Sequence, residues 1–107
     1  MERKFEIVMH APLGKRRGTI SFTECNGRIE GTLVLFGNSE PFEGKIADEG
    51  TIEFSGKLAT KLYTFSYKAE GTVSGNKLSL LVTGGRHCFE ITGEETDERE
   101  EKSNELY

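Results

Sequence analysis

Tryptophan is absent from this 107-residue chain, cysteine and proline occur only twice each, and no apolar run approaches the length needed to cross a membrane as a helix. Two cysteines, Cys25 and Cys88, are too few for a disulfide framework and lack the CxxC spacing of redox or zinc sites, so free thiols and a cytoplasmic location are expected. The opening MERKFEIVMH alternates apolar with polar residues and has no continuous apolar stretch of the kind a secretory leader carries. Catalytic signatures are missing as well: there is no G-x-S-x-G, no phosphate-binding loop, no G-x-G-x-x-G and no Ser-His-Asp ordering. The formal net charge of -4 sits largely in the residues after 93, which argues against nucleic acid as a partner.

What the chain does have is thirteen glycines and a period of two. Phe5, Ile7 and Met9 alternate with polar or smaller neighbours, and so do Ile20 and Phe22, then Ile29, Gly31, Leu33 and Leu35. The pattern repeats in Phe42, Gly44 and Ile46; in Ile52, Phe54, Gly56 and Leu58; in Tyr63, Phe65, Tyr67 and Ala69. It closes with Leu78, Leu80 and Val82, then His87, Phe89 and Ile91. Turn signals separate these runs, Asn26-Gly27 being the strongest because both positions tolerate positive φ. Gly-Thr-aliphatic recurs at Gly18, Gly31, Gly50 and Gly71, which reads as glycine bending a strand that a β-branched residue then resumes. About eight short antiparallel strands in meander order, each with one apolar face, are best satisfied by closure. The expected fold is therefore all-β, a single up-and-down barrel over residues 1–93, with 94–107 as a short acidic tail; a two-sheet sandwich is the competitor.

A meander sends its connections alternately to the two ends of a barrel. One end receives the tight turns CNG, DEG and SGN; the other receives APLGKRR, GNSEP, LATK and TGGR. The second group brings Lys15, Arg16, Arg17, Lys61 and Arg86 together, with His10 and His87 nearby and only Glu40 and Glu43 opposing them. A ring of cations at a barrel mouth focuses potential on an anion. Inside, the polar candidates are Tyr63, Tyr67 and His87, able to hydrogen-bond a ligand or move a proton. Glu6, Glu30, Glu43, Glu53 and Glu90 fall on the outer face, so paired carboxylates for acid/base hydrolysis are not expected inside. No cofactor is implied, and His10, His87 and Cys88 lack the spacing of a metal site. Six phenylalanines point inward, so a filled interior competes with a deep cavity.

NGRIEGTLVL, residues 26–35, resembles the hairpin-plus-Gly-Thr pattern of avidin strands, and the whole 5–93 region is similar to calycin-type barrels, the architecture of lipocalins, fatty-acid binding proteins and avidins, and to small bacterial barrel proteins with repeated Gly-Thr strand starts. The resemblance implies a fold. The Gly-x-Trp signature of lipocalins and the tryptophans that stack on biotin in avidins are absent, so no family ligand carries over to any residue. The expected function is binding of a small anionic or partly apolar ligand at the basic mouth, through Lys15, Arg16, Arg17, Lys61, Tyr63, Tyr67, Arg86 and His87. Two alternatives are an isomerase- or cyclase-type enzyme using Tyr63, Tyr67 and His87 beside Arg86, and a non-catalytic interaction module whose basic end meets an acidic protein.

Val8, Leu81 and Cys88 are apolar exceptions on the polar outer face of the first, seventh and eighth strands, which become neighbours on closure. They are the expected contact of a homodimer. Leu81→Lys should then reduce the hydrodynamic size to that of a monomer, and an unchanged size would count against this contact.

Overall fold

Eight strands follow one another in the computed structural model, which describes residues 2–11, 14–35, 37–59 and 64–96. They are β1 (Glu2–Ala11), β2 (Gly14–Cys25), β3 (Arg28–Leu35), β4 (Asn38–Ile46), β5 (Thr51–Ala59), β6 (Thr64–Ser74), β7 (Lys77–Gly84) and β8 (His87–Glu95). Each pairs antiparallel with the next, and the ladder from Phe5↔Glu95 to His10↔Glu90 joins β1 to β8. The sheet is thus a closed up-and-down barrel, the architecture expected from the meander, and the sandwich alternative is excluded.

Period-two patterning becomes the barrel wall directly. Nineteen apolar or aromatic side chains, from Phe5 on β1 to Ile91 on β8, turn inward and expose at most 8% of their surface. A cavity able to admit water would leave its lining side chains with accessible surface, so the middle of the barrel, as the described residues line it, is filled. This resolves the choice between a plugged core and a deep pocket in favour of the plug. Phe5 stacks on Phe22 with centroids 6.1 Å apart, while Phe42 and Phe54 meet at 4.2 Å.

The recurrent glycines have a steric cause. A Cβ on Gly31 would collide with the Ser21 carbonyl oxygen and lie 2.7 Å from the Phe22 Cβ; on Gly71 it would collide with the Ser79 carbonyl. Both are inward positions at which the strand bends so tightly that the backbone itself approaches its neighbour. Asn26 and Gly27 adopt φ of 55° and 82°, the paired positive values of the tightest hairpin turn.

One expectation changes. HAPLGKRRG reads as a long basic loop, but Ala11 pairs with Gly14, His10 with Lys15, Met9 with Arg16 and Val8 with Arg17. The three cations therefore belong to strand β2, because cross-strand pairing with β1 satisfies their backbone groups. Only Pro12 and Leu13, outside the described residues, connect the two strands. At the other terminus β8 continues through Glu94 and Glu95, two residues into the segment read as tail. The Thr96 N–H donates to the Lys4 carbonyl at 2.9 Å. Residues 97–107 lie outside the described residues.

That continuation has a function in closure. Arg3 donates through Nε and Nη2 to both oxygens of Glu95, at 2.9 and 2.8 Å, and through Nη2 to the Gly75 carbonyl at 2.9 Å. Its guanidinium carbon also lies 5.2 Å from the centre of the Phe5 ring. One side chain thus ties β1, β8 and the β6–β7 turn together over the core and covers the end opposite the cations. The bidentate hydrogen bond holds the Glu95 carboxyl below its ordinary range.

A depressed folded-state pKa contributes stability that is complete above the ordinary glutamate range and is lost as pH falls through the folded value. Arg3→Ala should cost about 1–2 kcal/mol at neutral pH, allowing for partial solvent screening. The difference from wild type should shrink below about pH 4 as Glu95 protonates. Urea denaturation across that pH range checks this, and a pH-independent difference would contradict it.

Candidate functional site

Strand alternation separates the three consecutive cations. Gly18, Ile20 and Phe22 occupy the inward positions of β2, so Arg16 shares their face while Lys15 and Arg17 take the opposite one. All three are exposed. Arg16 Nη1 donates to the Lys15 carbonyl at 3.3 Å, folding back on its own hairpin. Arg17 instead lines a groove on the outer wall with Glu6, Val8 and Thr19. The basic triplet is therefore one residue facing the mouth and two facing outward.

Arg86 occupies the β7–β8 turn, and His87 opens β8, both exposed at the same end as Arg16. The His87 ring lies 5.8 Å from that of Phe65 on β6. Phe65 and Phe89 pack against the core yet remain half-buried, giving this end an aromatic surface just inside the cations. Lys61 and Tyr63 fall between β5 and β6, outside the described residues. His10 faces outward, its Nε2 3.0 Å from the Thr92 hydroxyl.

Tyr67 is placed differently. It pairs with Gly56 across the β5–β6 ladder and is 4% exposed. Its ring meets Phe54 edge-on at 6.1 Å, and its hydroxyl lies 3.2 Å from the point a Cβ on Gly56 would occupy. The side chain thus crosses over Gly56, the aromatic covering that a strand glycine leaves room for. The hydroxyl is buried and has no hydrogen-bond partner among the described residues. Burial first, and then the charge of Glu40, push the phenol far above its ordinary range, so it remains a neutral O–H donor. The Tyr67 hydroxyl lies over Gly56 on β5, while the His87 ring lies beside Phe65 on β6.

Glu40 is the residue that sequence reasoning left at the rim. It sits two positions before Phe42 on β4 and so shares the inward register, half-buried. Its spacing from Phe42 was the available signal. Arg3 was missed because a cation two residues before Phe5 gives no sign of the distant Glu95. Of the outer apolar residues, Leu81 is 45% exposed and Cys88 is an exposed free thiol, while Val8 is half-buried. Glu90, opposite Leu81 in the β7–β8 ladder, lies among them. Among the described residues no cluster of His, Cys, Asp and Glu has the arrangement of a metal site, and no helix is long and apolar enough to cross a membrane.

A desolvated hydroxyl without a partner costs about 1–3 kcal/mol. Tyr67→Phe should therefore leave the fold intact and raise its stability by about 1 kcal/mol, read as a higher denaturation midpoint. Destabilisation would mean that the hydroxyl is satisfied within the folded chain.

No family model and no curated protein matches this chain. Among solved structures it is similar to a redesigned β-barrel, mFAP1, bound to DFHBI, with 12% identity and a TM-score of 0.58 over 87% of this chain and 91% of that one. At that identity the likeness is one of fold, a small antiparallel eight-stranded barrel.

Proposed function

We propose that this barrel binds a small, anionic and partly apolar molecule at the end carrying Arg16, Arg86 and His87. The observation behind the reading is the pairing of half-buried Phe65 and Phe89 with those basic groups. An aromatic surface that packs on the core but keeps contact with solvent takes an apolar body, and cations around it take a carboxylate or similar group. The filled middle of the barrel restricts such a ligand to a shallow seat. Lys15 and Arg17 contribute through the field they add at this end, Arg16 through its position on the inward register. Support for the capacity of the fold comes from the solved mFAP1 barrel, which is bound to the small molecule DFHBI.

The test is a calorimetric titration with a carboxylate panel, benzoate and medium-chain fatty acids, against wild type and the triple variant Lys15→Ser/Arg16→Ser/Arg17→Ser. Binding should weaken about tenfold, a loss of about 1.4 kcal/mol, and Arg16→Ser alone should account for most of it. The wild-type affinity should also fall as salt rises. Equal affinity of wild type and triple variant for every binding acid would overturn the reading.

A further inference from the structure

The ladder between β4 and β5 is the shortest in the barrel, running only from Phe42↔Gly56 to Ile46↔Ile52. Toward the basic end both strands continue. Asn38–Pro41 stay paired with β3, and Lys57–Ala59 stay paired with β6, but the two segments do not pair with each other. Pro41 supplies the cause. Its carbonyl oxygen faces β5, lying 2.8 Å from where a Gly56 Cβ would stand. A strand residue presents its N–H on the same edge as its carbonyl, and proline has none to offer. Beyond it, the Asn38 side-chain amide donates to the Ala59 carbonyl at 3.1 Å and bridges the gap at its outer limit.

The wall is thus split between Pro41 and Lys57. A groove of about 450 Å³ opens on the split, with Glu40, Pro41, Phe42, Gly56 and Lys57 along it. That volume lies within the range of roughly 300–1,000 Å³ common for small-molecule sites. Gly56 lines that groove, and the Tyr67 hydroxyl stands 3.2 Å from the point a Gly56 Cβ would occupy, buried and unpartnered among the described residues. Phe42 and Phe54 meet at a tilt and Tyr67 meets Phe54 edge-on, one aromatic cluster that includes Phe42 of the groove. An unsatisfied donor, an apolar floor and a broken ladder therefore coincide at one place.

We propose that the β4–β5 seam is a lateral binding site for a flat, uncharged molecule with an amide or lactam edge, whose carbonyl accepts from Tyr67 and whose N–H donates to Glu40. The ring of such a molecule lies against Phe42, and its polar edge supplies what the split withholds: an acceptor for the buried hydroxyl and a donor beside the half-buried carboxylate. An anion is disfavoured here because three carboxylates, Glu30, Glu40 and Glu43, already line the groove against one cation, Lys57. The site differs from the basic end in position and in ligand charge, and it does not depend on binding there.

The experiment is an amide-shift NMR titration of the full chain with isoquinolin-1(2H)-one as the probe. Naphthalene serves as a ring without the polar edge, and the N-methyl lactam as an edge without the donor. Saturable shifts should centre on Phe42, Gly56 and Lys57. Tyr67→Phe should weaken the lactam about tenfold, the value of one hydrogen bond at a buried site, and leave naphthalene unaffected. N-methylation should weaken binding to wild type but not to Glu40→Leu, which has no acceptor for the lactam N–H. Pro41→Thr, which restores an N–H to the edge, should extend the ladder, slow amide exchange at the seam and reduce lactam binding. Arg16→Ser should change none of these, which separates failure here from failure at the basic end. Absence of saturable shifts at the seam, or equal lactam affinity in wild type and Tyr67→Phe, would overturn the proposal.

Discussion

Closing eight strands onto one another forces each to coil, and the inward side of a sharply coiled strand has no space for a side chain where it approaches its neighbour. Gly31 and Gly71 mark two such points, with neighbouring carbonyls where a Cβ would be. Everything else follows from the closure they permit. It removes the sheet edges, turns the alternating apolar residues onto a common axis and buries them to near completeness. Inward glycines also make room for large aromatics, as Gly31 does beside Phe22 and Gly56 beside Tyr67. Tyr67 lying over Gly56 is the case with chemical consequences, because it carries a hydroxyl into a region that otherwise holds no buried polar side chain among the described residues.

A filled core moves function to the boundaries. At one end Arg3, Glu95 and the Gly75 carbonyl form a cover over Phe5 that joins the first and last strands. At the other, half-buried Phe65 and Phe89 meet a set of basic groups. The polar resources of the small barrel are thus divided, with a satisfied, bidentate ion pair where closure is needed and exposed cations where solvent and ligands have access. The seam at Pro41 is a third boundary, made by omission of a single backbone donor.

Much of this architecture was legible in the residues. Alternation from Phe5 to Ile91, the Asn26-Gly27 turn and the even spacing of short strands led to a closed meander without any tertiary information. Sorting by parity also placed the phenylalanines inside. Strand counting left Lys15, Arg16 and Arg17 in a connection, whereas they pair with β1 as part of β2. A cluster in sequence becomes two faces once it is part of a strand, and whether it is strand depends on how far the pairing with β1 extends.

Local patterning dictated the element type, the turn positions and the identity of the core, because those depend on side-chain period and on backbone preferences of neighbouring residues. Long-range pairing decided the rest. That Arg3 reaches Glu95, that Tyr67 covers Gly56 beside Glu40 and that β4 parts from β5 at Pro41 are outcomes of shear and register around the ring. Shear is a property of the closed sheet as a whole, summed over eight ladders, and no short window of residues contains it.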